Sequence, residues 1–150
     1  MRKHLDGQMT DVLLLGREIE HPSREYPDHV WRAMRLAYAM HYRTLLEFFH
    51  NGRGKLQPSA PPPRKRDMIV ADVLPPGVPL GIEPTTAEKK RFRAADKLAA
   101  HLSRERTQYH AAKQEWGCLS DRRALRRRIN ALFGATPQAH SWFPTTAREL

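Results

Sequence analysis

One amphipathic segment in the first third of the chain constrains the fold more than any other feature. Pro27 and Asp28 stand where a helix begins, and Gly52 stands where a helix ends. Between them the apolar positions at helical spacing are Val30, Met34, Ala37, Tyr38, Leu45 and Phe48. Because residues three and four apart share one face of a helix, the pattern predicts a long amphipathic helix from about Pro27 to Asn51.

Three further segments carry the same periodicity. They run from about Met9 to Glu20, from about Thr86 to Ala112 and from about Ser120 to Phe133. Thr10 is a candidate cap for the helix that begins near Met9. Thr85 or Thr86 caps the helix that begins near Thr86, and Glu88 in its first turn complements the helix dipole. Gly134 is expected to end the helix that begins near Ser120. These patterns predict three helices in addition to the long one.

The segment between the second and third predicted helices is rich in proline. Eight of the twelve prolines lie between Asn51 and Pro84, and proline both removes a backbone donor and clashes with the preceding helical turn. No long helix is therefore expected there. Within it, the apolar run from Met68 to Leu74 is predicted to dock on the core, and the basic stretch Arg64-Lys65-Arg66 to be solvated or to contact a phosphate.

These elements together predict an all-α fold, a bundle of about four helices with a long proline-rich crossover between helices two and three. We expect one helical domain over residues 1–134, with residues 51–85 as the crossover. Residues 135–150 are predicted to form an irregular tail, with Trp142-Phe143 as an anchor. The sequence contains no internal repeat and no convincing pair of strands.

Composition limits the classes of function. The chain has 150 residues, carries a formal net charge of +10 and contains a single cysteine, Cys118, so no internal disulfide can form. Its N-terminal apolar run covers only Val12 to Leu15, too short for a secretory signal, and no run approaches the length of a membrane span. We therefore expect a cytoplasmic protein without membrane contact. A basic surface of this kind attracts polyanions, of which nucleic acid is the commonest.

The last predicted helix concentrates the positive charge. Five arginines occupy seven positions: Arg122, Arg123, Arg126, Arg127 and Arg128. Neutralised phosphates release counterions, so this density of charge favours contact with a polyanion such as RNA. Runs of charge also occur as ordinary solvated faces. Nothing in this run predicts base-specific recognition.

A polar line on the third predicted helix is the best candidate for catalysis. Lys97, His101, Arg104 and Gln108 recur at intervals of four, three and four residues and so share one flank. A histidine can act as a general acid or base, and an arginine can stabilise a charged phosphorane, so His101 and Arg104 have the groups needed for metal-free RNA cleavage. Lys97 would assist in holding RNA. The alternative is an ordinary exposed flank.

Other sites are less favoured by the sequence. His41 lies in the apolar stripe of the long helix, where histidines are usually hydrogen-bonded core residues, and Arg43 lies on nearly the opposite face. The eight histidines are scattered without an acidic co-ligand, so no metal site is expected. We also find no glycine-rich phosphate loop, no nucleophile elbow and no pair of catalytic carboxylates, and we expect no cofactor.

Two resemblances bear on function. The segments His41 to Phe49, Asp67 to Val73 and Asp96 to Arg104, with Trp116 and Arg128 to Phe133, are similar to an uncharacterised family of bacterial helical proteins, across roughly Asp28 to Phe133. That family implies no established activity.

More distantly, Asp96 to His101 resembles the helical signature of HEPN proteins, which include dimeric, metal-independent ribonucleases of toxin–antitoxin and phage-defence systems. Their motif is an arginine, a polar residue and then, a few positions on, a histidine. Here Asp96 and Lys97 stand in the first two positions, and a second register, Arg104-Glu105 to His110, keeps the spacing. The resemblance implies an RNA-associated, HEPN-like homodimer that is a ribonuclease or a degenerate relative of one.

Two hypotheses of function therefore stay open. In one, the protein is RNA-associated, with His101 and Arg104 at the chemistry and the arginines of the last helix holding RNA. In the other, it is a noncatalytic helical protein-interaction module whose polar residues are structural. A DNA-binding accessory role is a third option, but the sequence has no recognisable recognition helix.

Overall fold

The computed structural model describes residues 2–50, 56, 69–78, 83–101 and 119–150, and for residues 2, 97–101 and 119 it describes the backbone only. The helices in these ranges are α1 (Arg2–Glu20), α2 (Asp28–Phe49), α3 (Thr86–His101), α4 (Leu119–Ala135), α5 (Ala139–Trp142) and α6 (Pro144–Glu149), with a 3-10 turn at Val70–Asp72. The described ranges contain no β-strand. The predicted all-α bundle is confirmed.

Helix α1 begins seven residues earlier than its pattern predicted. Leu5, Met9 and Val12 are all buried, so the apolar face continues to the first turn of the helix. Gly7, a poor helix former that lies between these residues, hides this continuation in the sequence. The helix is therefore a full-length member of the bundle.

Helix α2 follows the prediction closely at both ends. Pro27 has the extended backbone of a capping residue (φ −59°, ψ 151°), and the last helical residue is Phe49. Its buried positions are Tyr38, Ala39, Tyr42, Leu45, Leu46, Phe48 and Phe49. The backbone at Gly16 lies beside Tyr38, and Asp11 faces His41, so α1 and α2 pack as an antiparallel pair.

The apolar segment predicted to dock on the core does so where it is described. Val70 and Val73 are buried, and the carboxylate of Asp72 accepts a 2.9 Å hydrogen bond from the backbone N–H of Ile69. Most of the proline-rich crossover lies outside the described residues. Leu56, which belongs to it, is buried.

A reciprocal cap begins helix α3, and an apolar stripe packs helix α4 against the core. Thr85 and Glu88 form a reciprocal cap at the start of α3: the Thr85 N–H donates to the Glu88 carboxylate at 2.8 Å, and the Glu88 N–H donates to the Thr85 hydroxyl at 3.1 Å. Helix α4 buries Leu125, Ile129 and Leu132 as its pattern predicted. It continues to Ala135, so the expected stop at Gly134 is wrong by one residue.

The segment predicted to be an irregular tail is instead helical, which corrects the sequence-based expectation. Helices α5 and α6 follow α4 almost directly, and Phe143 between them is completely buried, as expected of an anchor. The carboxylate of Asp6 caps α6 from the other end of the chain, accepting hydrogen bonds from the N–H groups of Thr145 (3.1 Å) and Thr146 (2.8 Å). Because this cap comes from α1, no local pattern in residues 135–150 reveals it.

No helix in the described ranges combines the length and apolarity that crossing a bilayer requires.

Candidate nucleic-acid interface

The outer face of α4 presents three exposed arginines. Arg123, Arg126 and Arg127 lie at relative positions i, i+3 and i+4, which places them on the side of the helix opposite Leu125 and Ile129. Arg126 donates a hydrogen bond to the backbone oxygen of Leu150. Arg127 Nε lies 3.3 Å from the carbonyl of Arg123. Within the described residues, Arg123 and Arg127 form no ion pair with a carboxylate.

A fourth arginine of α4 links this face to α1. Arg122 forms an ion pair with Glu20 and packs over Gly16, where a Cβ atom would lie 2.5 Å from Arg122 Cδ. Burial is the main cause that lowers the pKa of Arg122, and the nearby cations Arg17, Arg123 and Arg126 lower it further. Arg17 is therefore close enough to α4 to add to the same positive potential.

We name the resulting surface the α1–α4 arginine face; its members are Arg17, Arg122, Arg123, Arg126 and Arg127. Arg17 is exposed and lies 3.4 Å from the carboxylate of Glu149 on α6. Sequence reasoning missed Arg17, because more than a hundred residues separate it from α4. The one feature of the sequence that marks Arg17 is its position in the last turn of a helix. Many basic residues that bind no ligand occupy the same position.

Arg128 does not belong to this face, which corrects its prediction as a phosphate contact. Its side chain is 2 % exposed, and it donates to both carboxylate oxygens of Glu88, at 2.8 Å from Nε and 2.6 Å from Nη2. A helix turns about 100° per residue, so Arg128 falls at the edge of the stripe formed by Leu125, Ile129 and Leu132. This angular position beside the apolar stripe was the feature of the sequence that could have predicted the burial of Arg128.

The Glu88–Arg128 pair belongs to a polar cluster inside the bundle. His50 Nε2 lies 3.9 Å from Glu88 Oε2, and the His50 side chain is only 1 % exposed. Burial raises the pKa of Glu88, but the hydrogen bonds from Arg128 and Thr85 and the charges of Arg128 and His50 outweigh it, so the net effect lowers that pKa. Glu88 is therefore ionised inside the protein. Its burial keeps this cluster from contacting a large substrate directly.

Tyr42 borders the same cluster. Burial raises the pKa of the Tyr42 hydroxyl strongly, and the carboxylates of Asp121 and Glu88 raise it further. Arg91 Nε lies 3.2 Å from Asp121 Oδ2, which ties α3 to the first turn of α4. Tyr42 is therefore a neutral core residue at physiological pH and cannot serve as a phenolate base.

His41 and Arg43 have separate partners, as their positions on α2 predicted. His41 is half-buried rather than central in the core, and its Nε2 lies 3.6 Å from Asp11 Oδ2 on α1. Arg43 Nη2 lies 3.0 Å from Asp96 Oδ1 and 3.1 Å from Glu47 Oε1. Asp96, which stands at the arginine position of the HEPN-like signature, thus holds α3 against α2.

The side chains of the predicted catalytic residues lie outside the part of the chain that the structure describes. His101 is the last described residue of α3, but its side chain and that of Lys97 lie outside the described residues, as does Arg104 entirely. The predicted pairing of His101 with Arg104 therefore stays a prediction. Among the described residues, no three His, Cys, Asp or Glu side chains converge as metal ligands.

Comparison with known proteins assigns no family to this chain. No protein-family model matches the sequence, and no significant similarity to a curated protein or to a solved structure was found. The resemblances to HEPN proteins and to a bacterial helical family stay predictions from the residues quoted above.

Proposed function

We propose that this protein is a basic helical RNA-associated protein that binds the phosphate backbone of RNA through the α1–α4 arginine face. The observation that supports the proposal most directly is the packing of Arg122 on α4 over Gly16 on α1, which brings Arg122 close to Arg17, the next residue of α1. Like charges repel, so a fold that gathers them from two helices is more informative than a run of arginines in one helix. Glu20 and Glu149 offset the charges of Arg122 and Arg17, and a polyanion would offset those of Arg123 and Arg127.

The chemistry of the face suits backbone contact. Guanidinium groups bind phosphate oxygens with two hydrogen bonds at once, and each phosphate neutralised releases a condensed counterion. The outward groups of Arg123 and Arg127 are not engaged by carboxylates in the described part of the chain. Such contacts fix the position of an RNA strand without selecting its sequence.

Binding of a labelled single-stranded RNA, measured by fluorescence anisotropy at several salt concentrations, tests the proposal. For single strands the slope of log K against log salt is about −0.7 per phosphate contacted. Arg123→Gln and Arg127→Gln are each expected to weaken binding and to make that slope shallower by about 0.7. The double variant should lose close to the sum, since each arginine contacts its own phosphate.

Lys3→Gln provides the matched control. Lys3 is exposed on α1 and loses the same single charge, but it lies about 21 Å from Arg17 along the helix axis. This variant should retain the slope of the wild type. Equal weakening by Lys3→Gln would show that diffuse net charge, rather than the arginine face, attracts RNA. Absence of RNA binding at low salt would refute the proposal and leave the noncatalytic protein-interaction role.

The finer proposal is that the bound RNA is cleaved without a metal, by His101 as acid or base and Arg104 as the stabiliser of the phosphorane. It rests on the spacing of these residues in the sequence and on the HEPN-like signature. Incubation of RNA with wild type and His101→Ala in the presence of a chelator tests it. Loss of cleavage in His101→Ala at an unchanged melting temperature supports catalysis, whereas RNA that stays intact with the wild type refutes it.

A further inference from the structure

An aromatic and cationic cluster occupies the corner between α1 and α2. The rings of Tyr26 and Trp31 meet edge to face, with centroids 5.6 Å apart and planes at 80°. The Arg24 guanidinium lies 5.0 Å from the centroid of Tyr26, and the Arg35 guanidinium lies 5.7 Å from that of Trp31. Two aromatic rings and two cations therefore share one small surface.

This corner is ordered by Glu18 near the end of α1. Its carboxylate oxygen accepts hydrogen bonds from the Ser23 N–H (2.6 Å), the Ser23 hydroxyl (2.7 Å) and the Tyr26 hydroxyl (2.8 Å). These bonds lower the pKa of Glu18. Tyr26 is thus held in a defined orientation before any ligand arrives, which reduces the entropy lost on binding.

The two rings are not part of the hydrophobic core. Both Tyr26 and Trp31 are half-buried, and neither packs against the core cluster, in contrast to Trp142. Core packing therefore accounts for Trp142 but not for a tryptophan at position 31. A partly exposed tryptophan beside two arginines is a type of surface that stacks on unpaired bases.

The corner lies at the same end of the bundle as Arg17 of the α1–α4 arginine face, because Glu18, which holds Tyr26, directly follows Arg17 on α1. A Cβ atom at Gly16 would touch both Arg122 and Tyr38, so these two side chains meet there. Trp31 precedes Tyr38 by seven residues, which places it about 10 Å nearer the N-terminus of α2. A strand that contacts Arg17 at the end of α1 therefore has Tyr26 and Trp31 nearby, where α2 begins.

We infer that Tyr26 and Trp31 form a stacking site for an unpaired base of the RNA strand whose phosphates the arginine face binds, with Arg24 and Arg35 adding cation–π and phosphate contacts. This inference rests on the proposed function and narrows its ligand to single-stranded RNA. Bases paired inside a duplex are already stacked and do not offer their faces to a protein ring.

Two probes separate stacking from charge: an oligouridine, which has bases, and inorganic polyphosphate, which has none. Trp31→Leu is expected to weaken binding of the oligouridine by about 5- to 150-fold, the range for loss of one base–aromatic stack. Polyphosphate binding should be unchanged. Tyr26→Leu should act in the same direction, and Arg127→Gln should weaken the binding of both probes.

Conservative variants guard against loss of folding. Trp31→Phe keeps a ring at the position and should retain most of the oligouridine affinity at an unchanged melting temperature. The oligouridine should quench tryptophan emission in the wild type, and this quenching should be largely lost in Trp31→Phe, which removes the stacked indole.

The outcomes distinguish the two proposals. If the wild type binds the oligouridine and Trp31→Leu binds it equally well, or loses affinity for both probes alike, the stacking site is refuted while backbone binding stands. If the wild type binds neither probe at low salt, the proposed function fails and the stacking site fails with it.

Discussion

The buried ion pair between Glu88 and Arg128 permits a sharp prediction about stability. Exposure of the two side chains is 3 % and 2 %, and two hydrogen bonds of 2.8 Å and 2.6 Å join them. The pair connects the first turn of α3 to the middle of α4. Arg128→Met keeps an unbranched side chain in the site and removes the charge, so the Glu88 carboxylate loses its strongest partner.

The expected cost is large for a single substitution. Removal of one partner from a buried ion pair destabilises a protein by about 3–5 kcal/mol, because the remaining charge is left in a poorly solvated site. Glu88 retains the N–H of Thr85 as a donor, so we expect a loss near 3 kcal/mol, at the lower end of this range. For a chain of this size that corresponds to a fall of about 6–12 °C in melting temperature.

The loss should depend on pH in a defined direction. In the wild type the pKa of Glu88 is lowered, so its ionisation stabilises the fold above the ordinary pKa of 4.5, and this contribution is lost as pH falls through the folded pKa. In Arg128→Met the effect of burial prevails and the pKa of Glu88 rises. The protonated carboxyl is then favoured in the folded state, so the deficit relative to wild type is largest at neutral pH and shrinks toward pH 4.5.

Thermal and urea unfolding followed by circular dichroism measures these differences. Arg127→Met is the matched control, because Arg127 is exposed on the same helix and its substitution should change the free energy of unfolding by less than about 0.5 kcal/mol. In the double variant Glu88→Gln/Arg128→Met the cost should be smaller than the sum of the two single costs. Two results would contradict a stabilising role for the buried pair. One is an Arg128→Met variant as stable as Arg127→Met at neutral pH. The other is a loss of stability in Arg128→Met that is the same at neutral pH and at pH 4.5.

Three further predictions concern α1 and the C-terminal helices. Hydrogen bonds from Thr146 and Thr145 outweigh burial and lower the pKa of Asp6, so Asp6→Asn should cost about 1.5 kcal/mol at neutral pH, and urea unfolding should show this difference vanish as pH falls below the ordinary pKa of 3.8. Gly16→Ala should destabilise the protein, since the new Cβ would lie 2.5 Å from Arg122 Cδ, whereas Gly7→Ala, with nothing within 4 Å, should stabilise it by about 0.5–1 kcal/mol; a gain in both variants would contradict the close approach of α1 and α4. Phe143→Ala should cost about 3–5 kcal/mol in thermal unfolding, and a cost below about 1 kcal/mol would show that α5 and α6 contribute little to the core.

Local sequence patterns determined the class of fold and the extent of two helices. In α2 and α4, apolar residues recur every three or four positions over several turns, and burial of that face follows wherever the partner helix comes from. Proline in the crossover acts equally locally, because its ring excludes a helical turn in any context. These properties depend only on residues near one another in the chain.

Tertiary structure alone decided which of these residues became available for function. Arg127 and Arg128 are neighbours with the same side chain, yet Glu88, forty residues away, holds Arg128 in the core while Arg127 stays exposed. The approach of Arg17 to α4 and the cap that Asp6 gives to α6 likewise join the start of the chain to its end. A helical pattern fixes the angle of a residue about its own axis, but the surface that meets it depends on how the axes pack, and residues far apart in the sequence set that packing.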